Sequence, residues 1–148
     1  MVHALEEIHR LLKPDGCLID IHPVAEAPLI KVYQEKNLLF TESDPGYDYE
    51  VDLYDAEDAL KEIVRRGLFL FEGRDEFDLV TYSSSVPDLR DFFAMIGAYS
   101  DSPKDDAVTA RQAEVYARAD EIMRDAVEAE IAYHERADIT RLNPNVRG

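Results

Sequence analysis

Cysteine is nearly missing from this 148-residue chain, which carries Cys17 alone. A single cysteine rules out an intrachain disulfide, and its place in an apolar strand pattern reads as a small core side chain rather than a reactive thiol. Basic residues are scarce too: 16 Lys and Arg stand against 32 Asp and Glu, a formal charge of −16. So acidic a surface repels phosphate backbones and anionic bilayers, which removes nucleic acid and membranes from the expected partners. No apolar run approaches the ~20 residues of a membrane span, and no basic segment followed by an apolar stretch marks a secretory signal. The expected location is cytoplasmic. Metal-ligand spacing is lacking as well. His3 and His9 lie six apart, no Cys–His or His–Glu set has zinc spacing, and the acidic loop at 44–55 lacks the order of a calcium loop, so no metal site is expected. No glycine flanks Ser83, Ser84 or Ser85 as a nucleophile elbow requires.

What is present is the make-up of a globular domain, 46% apolar and 32% charged residues, enough in one chain of this length for a real core. Ala4, Leu5, Ile8, Leu11 and Leu12 follow helical spacing until Pro14 and Gly16 stop them. "CLIDIHP" then predicts a strand. Cys17, Ile19 and Ile21 make one apolar face, while on the other Leu18 gives way to Asp20 and His22 toward the carboxyl end. That pattern suits an interior strand whose far end opens into a crevice. The run 29–43 predicts a hairpin turning near Glu35, Lys36 and Asn37. Asp55 is placed to cap a helix with Ala56, Ala59, Leu60, Ile63 and Val64 buried, and Gly67 to end it. Residues 68–84 read as one long strand or a tight pair, with Gly73 at a bulge or turn. Two helices are expected next, one bearing Leu89, Phe92, Phe93 and Ile96 and a longer one over 105–127 bearing Val108, Val115, Ala119, Ile122 and Ala126. A last strand near 130–142 puts Ile131, Tyr133, Ala137 and Ile139 on one face.

The opening helix and strand, through Leu5, Glu7, Ile8, Arg10, Leu12, Lys13, Pro14 and Gly16, resemble the segment leading into the fifth strand of class I S-adenosylmethionine-dependent methyltransferases. The order of the later elements is similar to that family's C-terminal half. The resemblance implies an α/β fold (α+β by content): a partial Rossmann-like sheet of the fifth to seventh strands, an inserted hairpin and about four helices, all within one domain over 1–148. In that family the last strand runs antiparallel between the fifth and the sixth. The family's glycine-rich cofactor turn and the acidic residue ending its second strand lie upstream of the matched segment, and the six glycines here are too scattered to replace that turn. No cofactor is therefore expected on this chain alone, with S-adenosylmethionine entering only if an N-terminal half completes the domain. The strand at 17–22 would then show a bare edge, closed by homodimerisation or by a separate N-terminal half. Alternatively, Met1 is an internal methionine of a longer protein.

Two groups of side chains stand out as candidate sites. Asp20 and His22, two apart on one strand face, are placed for general acid–base work or for contact with a methyl acceptor, or simply to bind the adjoining loop. Tyr47, Tyr49 and Tyr54 sit in an acidic stretch that reads as solvated loop or as a lid over a ligand pocket. His134 falls on the polar face of the last strand, facing solvent. The function implied is methyl transfer to a small acceptor by a completed domain, with the chain inactive alone. The alternative is a non-catalytic homodimer or small-ligand-binding module.

Overall fold

The computed structural model describes residues 1–47, 50–97 and 105–145. Among them are four helices, α1 (Val2–Leu11), α2 (Glu50–Arg65), α3 (Val86–Gly97) and α4 (Asp106–Asp125). Five strands accompany them: β1 (Leu18–Pro23), β2 (Leu29–Gln34), β3 (Asn37–Ser43), β4 (Phe69–Ser83) and β5 (Ala129–Pro144). The strands form one antiparallel sheet, and the fold class is mixed α/β. The chain divides into two compact units.

The first unit comprises residues 1–26, 48–78 and 136–148. Here β1 runs antiparallel to the second half of β5, from Leu18 opposite Leu142 to Pro23 opposite Ala137. β4 also pairs with β5, and the contacts of Glu72 with Arg141 and of Arg74 with Asp138 lie along the same stretch. β5 thus runs between β1 and β4. The core joins α1, α2 and this sheet through Leu5, Ala59, Leu60, Ile63, Phe69 and Leu142. Helix α2 buries the stripe its 3–4 spacing predicts, and Gly67 closes it in the left-handed region at φ 75°. Of the two readings left open for residues 68–84, the single long strand is the one present, over Phe69–Ser83. Two expectations need correcting. The helix begins at Glu50, so Asp55 lies inside it and is not its cap. Ile19 and Ile21, expected inside, are 45% and 58% exposed. Among the described residues β1 pairs only with β5, and the face on which these isoleucines stand is left largely open.

The second unit comprises residues 27–47 and 79–135. The expected hairpin is present: β2 and β3 pair antiparallel, with Gln34 opposite Asn37. Glu35 in the turn adopts φ 56°. β2 continues onto the first half of β5, from Leu29 opposite His134 to Gln34 opposite Ala129. Helices α3 and α4 cover this sheet, and Ile30, Val32, Phe40, Leu89, Tyr116, Ala119, Ile131 and Tyr133 fill the core. Asp105 caps α4 by accepting from the Ala107 amide at 2.7 Å. Of the α3 residues expected on one buried side, Leu89 is buried and Phe93 packs against the core, whereas Phe92 and Ile96 are exposed. The single buried face expected for β5 is also corrected: Ile131, Ala132 and Tyr133 are buried in succession, because neighbours meet this strand on both faces.

Candidate functional site

In the first unit, a crevice of about 220 Å³ opens at the carboxyl end of β1. Strand alternation sends Asp20 and His22 to one face of β1, and the register sets them opposite Thr140 and Asp138 of β5. The His22 Nδ1 lies 2.5 Å from the Asp20 Oδ2. A carboxylate only accepts, so Nδ1 carries the hydrogen of this bond, and Nε2 is the ring nitrogen left to meet a ligand. The two side chains are 12% and 25% exposed, which shelters the pair yet leaves it reachable. An imidazole held by a carboxylate is an arrangement that general acid–base chemistry can use. The sequence-predicted pair is thus brought together.

The rest of the crevice was not foreseen. Asp138, on β5, is 1% exposed. Its Oδ2 accepts from the Arg74 guanidinium, which also donates to Glu57 Oε1 at 2.9 Å. These two carboxylates, Asp138 foremost, raise the Arg74 pKa above the usual guanidinium value. In return the hydrogen bond from Arg74, assisted by Lys61, lowers the Glu57 pKa below the ordinary carboxylate value, against the effect of partial burial. The other Asp138 oxygen, Oδ1, has no hydrogen-bond partner. Leaving one buried acceptor unmet costs about 1–3 kcal/mol, so this oxygen is a standing site for a donor. Farther out, Arg136 bridges Glu26 and Glu76. A signal for Asp138 was legible in "ADIT", where a carboxylate sits within an apolar strand. Arg74 and Arg136 gave none, because only the pairing of distant strands brings them here.

Tyr54 stands on α2 and lines the crevice. Tyr47 belongs to the second unit, and Tyr49 lies outside the described residues. His134 is half-buried, with Nδ1 3.4 Å from the Lys31 Nζ, and correspondingly less open to solvent than expected. Among the described residues no group of three or more His, Cys, Asp and Glu is arranged to hold a metal. No described helix is long and apolar enough to cross a membrane.

The second unit holds its own buried carboxylate, Asp44, 5% exposed. Its Oδ2 accepts from the Tyr133 hydroxyl at 2.7 Å, and its Oδ1 accepts from Gln112 and from the Gly46 amide, each at 2.8 Å. Both oxygens are taken. Asp44 fastens the loop after β3 and offers nothing to a ligand.

A methyl donor such as S-adenosylmethionine needs backbone amides free at a glycine-bearing turn. The strand-to-helix turn from β4 into α3 has no glycine, and its own hydroxyls take its amides: Ser83 Oγ accepts from Ser85 N, and Ser85 Oγ from Asp88 N. That turn therefore does not fit that cofactor. Compared with protein-family models, curated proteins and solved structures, the chain matches none.

Proposed function

We propose that this chain is the acceptor-side half of an S-adenosylmethionine-dependent methyltransferase domain, active only when a further segment supplies the donor site. The observation that carries this reading is the strand order. β5 runs antiparallel between β1 and β4, with α1 leading into β1 and α2 leading into β4. That order is similar to the one the resembled family gives its fifth, seventh and sixth strands, and with the motif of α1 and β1 it supports the reading. Two further features support it. The crevice lies at the carboxyl end of β1, where open α/β sheets bind ligands. The free edge of β1 and the exposed Ile19 and Ile21 mark where a fourth strand and its covering helix would add. In this reading His22, oriented by Asp20, takes a proton from the acceptor at Nε2, while Arg74 and Asp138 fix the wall beside it. Most of the rate in such a centre comes from holding two reactants in line, so the chain alone is inactive.

Reading the gene upstream of the Met1 codon tests this. An in-frame segment of about a hundred codons encoding a glycine-rich strand–turn–helix supports the reading. An in-frame stop just upstream, with no such segment encoded nearby, counts against it.

A second reading rests on the same exposed isoleucines: two copies join edge to edge through β1 as a non-catalytic dimer. Light scattering after size exclusion decides it, since a mass of twice 16.9 kDa favours the dimer and 16.9 kDa removes it.

A further inference from the structure

The acceptor-binding crevice holds more acceptors and more negative charge than its own side chains can satisfy. We infer that the crevice between β1, β4 and α2 binds a compact primary amine, whose ammonium group donates to Asp138 Oδ1 and His22 Nε2. The inference rests on the methyl-transfer reading only in calling this ligand the acceptor; the binding chemistry stands on the crevice alone.

The first support is the unmet oxygen. Asp138 lines the crevice and is buried, and its Oδ1 has no hydrogen-bond partner among the described residues, although Oδ2 of the same carboxylate is held by Arg74. The bond from Arg74 to Oδ2 fixes the carboxylate plane, so the position of Oδ1 is set as well. The second is the place of His22. The bond to Asp20 takes up Nδ1 and leaves Nε2, on the neighbouring strand opposite Asp138, as the ring nitrogen that a neutral imidazole offers as a second acceptor. Directly opposed strand residues place their side chains about 5 Å apart, within reach of one ammonium group with its several hydrogens.

The third is charge. Glu26, Glu57, Glu76 and Asp138 line the crevice, against Arg74 and Arg136. Both guanidinium groups are already forked between pairs of these carboxylates. Lys61 adds a third cation beside Glu57, so the four carboxylates still exceed the cations by one, which favours a cation and repels a carboxylate or phosphate. A metal ion is the weaker candidate, since no three ligating groups converge among the described residues. Finally, Val24, Ala25, Leu53 and Tyr54 supply an apolar wall. The volume of about 220 Å³ has room for about seven water-sized groups. A single ring carrying an aminomethyl group matches both.

The test is a ¹H–¹⁵N NMR titration of the whole chain with benzylamine, benzyl alcohol and benzoate at pH 7.5. Benzylamine is expected to saturate, moving the amides of His22 and Asp138, with at least about tenfold higher affinity than the alcohol, and with benzoate not saturating. Asp138→Asn should lower benzylamine affinity by about tenfold, and His22→Phe by less, with both spectra elsewhere unchanged. Should either variant lose its dispersed spectrum, the three-ligand comparison on the wild-type chain decides by itself. Equal binding of the three ligands, no saturation by benzylamine, or full affinity in a folded Asp138→Asn variant overturns the inference. Amine binding by a chain whose gene encodes no donor half would leave the inference standing and the methyl-transfer reading fallen. Selective binding of the alcohol would do the reverse.

Discussion

Each unit of this protein buries an aspartate, and the two are treated in opposite ways. Asp44 in the second unit spends both oxygens on three donors from its own unit. Asp138 in the first unit gives one oxygen to Arg74 and leaves the other open. A carboxylate closed on all sides is part of the framework, while Asp138 keeps one oxygen outside its own ion pair. The surroundings agree with this division. Asp44 adjoins the close-packed core of Phe40, Tyr116 and Tyr133, whereas Asp138 sits among ion pairs beside a strand with a free edge.

The largest effect should come from removing the closed carboxylate. Asp44→Ala strands a tyrosine hydroxyl, an amide side chain and a backbone N–H, and is expected to cost about 3 kcal/mol or more in urea unfolding. Asp138→Ala removes an unmet acceptor along with a met one, and Arg74 keeps Glu57 and solvent. Its expected cost is about 1 kcal/mol or less. Equal losses in the two variants would erase the distinction between them. Tyr133→Phe sharpens it, withdrawing one of the three donors to Asp44 for about 1 kcal/mol by the same measurement.

The pH dependence comes next in size. The Glu57 pKa is lowered in the folded state, chiefly by its hydrogen bond to Arg74. The pair therefore stabilises the fold above the ordinary carboxylate value of 4.5, and that contribution is lost as pH falls through the lower folded value. The difference in stability between the native chain and Glu57→Gln should be about 1 kcal/mol or less at pH 7, shrinking toward zero below pH 4. A difference that grows on acidification would contradict the arrangement around Arg74. The smallest effect concerns the hairpin, where Glu35 holds a left-handed conformation that asparagine adopts more readily. Glu35→Asn is expected to raise stability by about 0.5 kcal/mol without changing the crevice spectrum.

Much of this was legible in the sequence, for reasons that differ by element. The α2 stripe and the closing Gly67 are local, fixed by spacing within a few turns, and both appear where the residues place them. The β2–β3 hairpin is equally local. Asp20 and His22 were readable because two residues on one strand must share a face. By contrast, Ile19 and Ile21 read as buried because an apolar strand face looks the same in sequence whether or not another element covers it. The partnership of Arg74, Glu57 and Asp138 draws on α2, β4 and β5 and leaves no pattern within any of them. Asp44 was hidden for the same reason, its donors standing 68 and 89 residues away along the chain.

The claim at the centre is that the acceptor side of a methyl-transfer centre is built here and the donor side is not. Calorimetric titration of the isolated chain with S-adenosylhomocysteine tests it most directly. The account predicts no saturable heat from the chain by itself, and saturable binding once a segment bearing a glycine-rich strand–turn–helix is joined ahead of α1. Micromolar binding by the 148-residue chain alone would contradict it.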